Sequence, residues 1–142
     1  MGARAGGRPV APVRGILDTS VVIGTEVAVL PEEAAISAAT LAELHFGVHL
    51  AKDEAARTLR VRRLTEIETR FDALPIDEAV ARAYGELAAL TVKSGRKVRA
   101  RVVDLFIAAT ARVHGVPLYT RNRQDFQPFA DLIQIASVEG LD

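Results

Sequence analysis

The segment 102–113 has apolar side chains on nearly every side of a helix, and this pattern constrains the fold more than any other in the chain. His114-Gly115 follows the segment and is a typical signal for the end of a helix. Because other parts of the protein must cover a helix without a polar face, we predict that this helix is central and buried. An acidic residue, Asp104, lies near its beginning.

Short apolar segments elsewhere predict strands, and amphipathic segments between them predict helices. Ser37 or Thr40 caps one helix, and Asp77 caps another that ends at Ser94-Gly95. Helical spacing also covers residues 53–71, and the predicted strands cover residues 14–18, 34–36, 116–120 and 132–135. Strands that alternate with helices through short connections predict an α/β fold with a central, mainly parallel sheet flanked by helices.

The composition is that of one folded domain. The chain has 142 residues, of which 49% are hydrophobic and 25% are charged, so it can bury a core. We expect residues 15–142 to form the domain. Residues 1–14 hold three arginines among glycine, alanine and proline, and we expect them to form a flexible basic arm outside the fold.

The chain contains no cysteine, which excludes a disulfide framework, a thiolate zinc site and a cysteine nucleophile. This favours a reducing compartment, and we expect a cytoplasmic protein. The longest stretch without a formal charge is residues 34–42, far shorter than the ~18 apolar residues that a membrane helix needs. We therefore expect no membrane association.

The charges sum to zero but are unevenly distributed along the chain. Residues 15–51 contain five acids and no lysine or arginine, whereas residues 91–101 contain five basic residues and no acid. This separation suits a site that holds cations beside a surface that binds a polyanion. A solvent-exposed surface with unmixed charges is the alternative.

Acidic residues occur at positions that an α/β fold would bring together. Asp18 and Asp125 follow predicted strands, and Glu43 lies in the first turns of the helix after another strand. Asp104 lies near the start of the buried helix. Ligands of such folds bind beyond the carboxyl ends of the strands, so we expect these carboxylates to meet there.

Some of these acids also have a purely local interpretation. Thr40 and Glu43 have the spacing of a capping box. Asp18 could end its strand with an Asx turn, and Asp125 could cap the turn that follows it.

Asp104 is harder to explain locally, because a carboxylate in so apolar a segment needs a cation or strong donors. A salt bridge to Arg99 or Arg101 is the structural alternative. Local roles do not predict that distant acids converge on one end of a sheet. Clustered carboxylates repel one another unless a cation binds among them, so their convergence favours a cation site.

Oxygen ligands without cysteine select Mg²⁺ or Mn²⁺ rather than zinc. His45 and His49 lack an acid at the metalloprotease position, so we interpret them as surface residues. A divalent ion activates water and neutralises charge on a phosphoryl oxygen, which suits phosphodiester hydrolysis. The candidates to hold a nucleic-acid backbone are basic residues near the buried helix: Arg96, Lys97, Arg99 and Arg101.

Four blocks occur in a specific order: Gly-Ile-Leu-Asp-Thr-Ser at 15–20, Thr-Leu-Ala-Glu-Leu-His-Phe-Gly at 40–47, Asp-Leu-Phe-Ile-Ala-Ala-Thr-Ala at 104–111 and Thr-Arg-Asn-Arg-Gln-Asp-Phe at 120–126. Together they resemble the PIN-domain ribonucleases, in particular the VapC-type toxins of bacterial toxin–antitoxin systems. The resemblance implies a three-layer PIN-like fold and a Mg²⁺- or Mn²⁺-dependent endoribonuclease. It also implies a homodimer that a VapB-type antitoxin holds inactive.

The resemblance further implies roles for individual residues. It assigns metal binding, directly or through water, to Asp18, Glu43 and Asp104, with Asp125 as a fourth acid. It implies that Ser20 and Thr120 orient ligands or water, and that Asn122 donates a hydrogen bond to a site carboxylate. Val103 departs from the small polar residue that often precedes the third acid in this family, which removes a possible hydrogen bond there.

Other functions remain as alternatives. A PIN-like fold could bind an antitoxin or RNA without cutting it. Haloacid-dehalogenase phosphatases also place an Asp after the first strand, but they need a second Asp where this chain has Ser20. A phosphoacceptor receiver domain needs an acidic pair at the first strand, which is not evident here.

Overall fold

In the computed structural model, which describes residues 13–138, strands alternate with helices. The strands are β1 (Gly15–Leu17), β2 (Ala34–Ser37), β3 (Ala73–Leu74), β4 (Leu118–Thr120) and β5 (Ile135–Ser137). The helices are α1 (Thr19–Gly24), α2 (Ala38–His49), α3 (Glu54–Arg70), α4 (Glu78–Lys93) and α5 (Val102–His114). Short 3₁₀ helices cover Val27–Val29, Arg99–Arg101 and Arg123–Phe129.

The strands form one sheet in the order β3-β2-β1-β4-β5, and every pair of neighbours is parallel. β1 lies in the centre, where Ile16 is paired with Ala35 of β2 and with Leu118 of β4. The prediction of an α/β fold with a mainly parallel sheet is confirmed.

The sheet is covered on both faces. Ile16 and Leu17 are neighbours in β1 and belong to two different clusters of buried residues, because successive side chains of a strand point to opposite faces. Ile16 shares its cluster with Leu87 of α4 and Ile107 of α5, whereas Leu17 shares its cluster with Ile67 of α3. These clusters give the three layers that the resemblance implies, and the central position predicted for α5 is confirmed.

Local signals in the sequence begin and end the helices, at Asp77 and Gly115 as predicted and at Asp53 in addition. Asp53 Oδ1 accepts a hydrogen bond from the Ala56 N–H at the start of α3, and Asp77 Oδ1 accepts one from Val80 at the start of α4. Such N-caps stabilise a helix by about 1 kcal/mol. Gly115 ends α5 in the left-handed conformation, with φ of 64°, which glycine adopts without steric cost.

Basic side chains of α3 anchor the segment between β1 and β2. Arg63 and Arg70 donate hydrogen bonds to four carbonyl oxygens of this segment: those of Val22, Thr25, Val27 and Leu30. Part of this segment is α1, which begins directly after Asp18. The arginines therefore help to hold one wall of the crevice in which Asp18 lies.

The last strand differs from the prediction. The sequence predicts it at 132–135, but β5 covers Ile135–Ser137. Ile133 is buried in a turn instead, where its N–H donates to the Phe129 carbonyl. Its apolar character therefore reflects burial and not strand pairing.

The described residues begin before the predicted domain boundary at 15. Val13 packs against the core, and the Arg14 N–H donates to the Glu33 carbonyl over 2.8 Å. Both residues therefore belong to the folded unit. The rest of the predicted arm, residues 1–12, and residues 139–142 lie outside the described residues.

Within residues 13–138, no helix combines the length and the apolar character that a membrane crossing requires.

Candidate active site

The carboxyl ends of β1 and β4 meet where the strand order changes direction. β2 and β3 extend the sheet on one side of β1, and β4 and β5 extend it on the other. Connections that leave in opposite directions open a crevice at such a point. Asp18 directly follows β1 and Thr120 ends β4, so both residues lie at this crevice.

Asp18 is buried, with 4% of its surface exposed, and two hydroxyl groups orient its carboxylate. Ser20 Oγ donates to Asp18 Oδ2 over 2.7 Å, and Thr120 Oγ1 donates to the same oxygen over 2.8 Å. The side chain makes no capping bond to the backbone of α1, so the Asx-turn interpretation is wrong. Within the described part of the chain, no donor reaches Oδ1, which stays available to a further ligand.

Asp104 lies in the first turn of α5, and its surroundings raise its pKa to about 6. Burial is the largest cause, and repulsion from Asp18, Asp125 and Glu43 adds to it, while Arg101 acts in the opposite direction. Charges influence one another in this way only over short distances. The structure thus brings the three other predicted acids within electrostatic range of Asp104.

Glu43 lies in the second turn of α2 and contacts α1, because Thr19 Oγ1 donates to Glu43 Oε1 over 2.7 Å. The capping-box interpretation is wrong, since α2 begins earlier than it requires. Ser37 is the N-cap and accepts a hydrogen bond from the Ala39 N–H, while Thr40 lies inside the helix.

Asp125 lies in the 3₁₀ helix after β4 and pairs with Arg101, whose Nη1 is 3.6 Å from Asp125 Oδ1. Arg96 donates to the carbonyl oxygen of Gln124 over 2.7 Å. The basic segment before α5 is thereby attached to the loop that carries Asp125. Asp104 forms no ion pair with any described residue, so the alternative of a salt bridge to Arg99 or Arg101 is wrong.

The sequence model of the PIN domain family matches residues 15–132, which include all four acids. The chain belongs to the PIN domain family. The ribonuclease VapC5 of Mycobacterium tuberculosis is 39% identical over 136 residues, which are 90% of this chain and 94% of the relative. The ribonuclease VapC4 of the same organism is 38% identical over 127 residues, 84% of this chain and 93% of the relative.

A solved member of the VapBC family of toxin–antitoxin systems, VapBC-5 from M. tuberculosis, has the same fold. It superposes with a TM-score of 0.73 at 34% identity and covers 89% of this chain and 98% of that one. The resemblance to VapC-type PIN domains is therefore confirmed.

Asn122 supports the site of this PIN domain through its backbone. Its N–H donates to Thr120 Oγ1 over 2.9 Å, and Thr120 in turn donates to Asp18. The resemblance implies a bond from the Asn122 side chain to a carboxylate, and none of the described contacts is such a bond. The Asn122 backbone is thus linked to Asp18 through the Thr120 hydroxyl.

The two other basic candidates near α5, Lys97 and Arg99, differ from Arg96 and Arg101. Lys97 and Arg99 are exposed, and neither side chain has a hydrogen bond or ion pair within residues 13–138. Their predicted contact with nucleic acid stays a prediction.

Sequence reasoning missed two residues of this site, Thr19 and Arg121. Arg121 links α1 to the loop after β4, because its N–H donates to Ser20 Oγ and its guanidinium donates to the Gly24 carbonyl. Each missed residue directly follows one that was singled out, Asp18 or Thr120. Their polar character beside a candidate residue is the signal that could have found them.

The acids at this site offer only carboxylate oxygens, which hard divalent ions prefer. No three acidic or histidine side chains of the described residues lie close enough together to hold an ion by themselves. Mg²⁺, however, commonly binds one or two carboxylates and keeps several waters. Because Asp104 is half-buried near three other acids, the residues fit a partly hydrated divalent cation.

Proposed function

We propose that this protein is the toxin of a type II toxin–antitoxin system and acts as a Mg²⁺- or Mn²⁺-dependent endoribonuclease. The observation that carries the proposal is the half-buried Asp104, whose pKa is raised by burial and by three acids from other parts of the chain. A fold that collects so much negative charge needs a cation there. The VapC relatives, which are named ribonucleases, support RNA as the substrate.

Asp18 and Asp104 are the residues that would hold the ion most directly, and Glu43 and Asp125 would contact it directly or through water. When bound, a divalent ion activates a water molecule and stabilises the charge that develops on the phosphate. Ser20 and Thr120 orient Asp18 so that Oδ1 faces away from their hydroxyl groups. Arg101 limits the repulsion between Asp125 and Asp104.

RNA would lie across the carboxyl ends of β4 and β5, where a cavity of about 350 Å³ opens beside Asp125. The cavity is lined by polar residues: Thr120, Arg121, Asn122, Arg123, Gln124, Asp125 and Ser137. Lys97 and Arg99 are free to contact phosphates, whereas Arg96 and Arg101 act mainly by holding the loop that carries Asp125. Electrostatic contacts of this kind bind RNA without reading its sequence.

The partner of this protein would be a VapB-type antitoxin that blocks the site, as the VapBC structure of the relative supports. We further propose a homodimer in the cytoplasm, a reducing compartment that suits a chain without cysteine.

The test is to incubate the antitoxin-free protein with transfer and ribosomal RNA, with Mg²⁺, with Mn²⁺ and with a chelator. We expect cleavage only with an ion. Asp104→Asn should lower the rate by more than about 100-fold, the upper end for residues that merely support a metal ligand. Asp131→Asn, a change of the same kind at an exposed position, should cleave like the wild type.

Cleavage that persists in the chelator, or in Asp104→Asn, would reject this mechanism. Binding of RNA without cleavage would favour the catalytically silent alternative.

A further inference from the structure

The hydroxyl group of Thr19, in α1, contacts two residues of α2. Its Oγ1 lies 2.7 Å from Glu43 Oε1 and 3.1 Å from Thr40 Oγ1. Thr19 is half-buried, Thr40 is fully buried, and the Glu43 side chain is exposed. The contact therefore links an exposed carboxylate of α2 to a buried hydroxyl of the same helix through α1.

The direction of these hydrogen bonds follows from proton counting. The Thr19 hydroxyl has one hydrogen and can donate to only one of its two neighbours. A carboxylate is the stronger acceptor, and 2.7 Å is the length expected for a hydroxyl bond to an ionised oxygen. Thr19 therefore donates to Glu43, and Thr40 donates its own hydrogen to Thr19.

We propose that Thr19 is a positioning residue for Glu43 and that Thr40 orients the Thr19 hydroxyl. The proposal rests on the proposed function, because Glu43 is one of the acids that would contact the ion, and Thr19 fixes its orientation. An exposed glutamate samples many side-chain conformations, and a bond to a hydroxyl on the neighbouring helix selects one of them. Donors that hold a ligand in place typically change ion affinity by 10- to 100-fold.

The inference is tested by measuring Mn²⁺ binding by calorimetry, without RNA, for the wild type, Thr19→Val and Thr19→Ser. Valine keeps the shape of threonine and removes the hydroxyl, whereas serine keeps the hydroxyl. We expect Thr19→Val to bind Mn²⁺ roughly tenfold more weakly and Thr19→Ser to restore most of the affinity. The melting temperature in chelator should stay unchanged, which separates positioning from a structural role.

Three further variants sharpen the test. In a Glu43→Gln background, Thr19→Val should cause no additional loss, because the group it orients no longer carries the charge. Thr65→Val removes an exposed helical hydroxyl that donates to the Val61 carbonyl of its own helix, and it should bind Mn²⁺ like the wild type. Thr40→Val should weaken binding less than Thr19→Val, since it acts one bond further away.

The inference would be overturned if Thr19→Val bound Mn²⁺ with wild-type affinity. It would also be overturned if Thr19→Val lowered the Mn²⁺ affinity equally in the wild-type and in the Glu43→Gln background. A wild type that binds Mn²⁺ but cleaves no RNA would reject the proposed function alone. If the wild type cleaves RNA and Thr19→Val matches it in both rate and affinity, only the role of Thr19 is rejected.

Discussion

At the scale of single residues, Asp104 derives its raised pKa from its burial and from neighbours that are distant in sequence. Burial is the largest cause, and Asp18, Asp125 and Glu43, which come from three other parts of the chain, raise the pKa further. Its ordinary pKa of 3.8 describes the unfolded chain, whereas the folded protein has a value of about 6. The folded state therefore holds the Asp104 proton more tightly than the unfolded state does.

This difference predicts how Asp104 affects stability. Its contribution is most favourable below pH 3.8 and is lost as the pH rises through about 6, because folding then has to bury a charge. Asp104→Asn removes that charge, so it should raise the melting temperature of the ion-free protein by a few degrees at pH 7.5. At pH 4 the gain should largely vanish.

The measurement is thermal unfolding in chelator at both pH values, with Asp131→Asn as the control at an exposed position. A lower melting temperature for Asp104→Asn at pH 7.5 would mean that the carboxylate stabilises the fold and would contradict the prediction.

At the scale of secondary-structure elements, the packing of α3 against the segment after β1 positions the crevice. α1 has only six residues, including Val21, Val22 and Ile23, whose branched side chains do not favour helices. Its position is held by burial of the valines and by arginines of α3. The segment therefore depends on tertiary contacts more than on its own helix propensity.

We predict that Arg63→Met destabilises the protein by about 1–2 kcal/mol, because the carbonyl oxygens of Val22 and Thr25 lose their donor. Arg62→Met is the matched control, since Arg62 is the adjacent residue and is exposed. The free energy of unfolding in urea measures both. Equal effects of the two changes would show that the carbonyl contacts contribute nothing.

At the scale of the whole molecule, folding brings the acidic and basic parts of the chain together. The basic segment before α5 contacts the loop of Asp125 through Arg96 and Arg101, while Lys97 and Arg99 stay exposed. A basic surface thus lies beside an acidic crevice. This arrangement suits a phosphate backbone that has to approach carboxylates.

RNA binding by the Asp104→Asn protein, in which we expect cleavage to be slow, should therefore weaken as salt increases. Lys97→Ala and Arg99→Ala should each reduce the slope of log K against log salt by about 0.7, the value for one contact with single-stranded nucleic acid. Arg82→Ala, which removes an exposed arginine paired with Glu78 on α4, should leave the slope unchanged. Fluorescence anisotropy at several salt concentrations measures this, and unchanged slopes for Lys97→Ala and Arg99→Ala would exclude both residues from the contact.

The sequence by itself determined the features that depend on residues close together in the chain, such as the start, the end and the apolar surface of a helix. Asp77 caps a helix, Gly115 ends α5, and the apolar surface of α5 requires a central position. The acids at strand ends were also predictable, because the carboxyl ends of parallel strands share one edge of a sheet.

Only the tertiary structure decided which neighbours these residues have. Thr40 and Glu43 have the sequence spacing of a capping box. In the structure, however, Ser37 is the N-cap of α2, and Glu43 accepts its hydrogen bond from Thr19 of another helix. The pKa of Asp104 likewise depends on burial in the folded chain and on charges from distant segments. The physical reason is that hydrogen bonds and charges act through space, whereas spacing along the chain records only what adjacent residues can do.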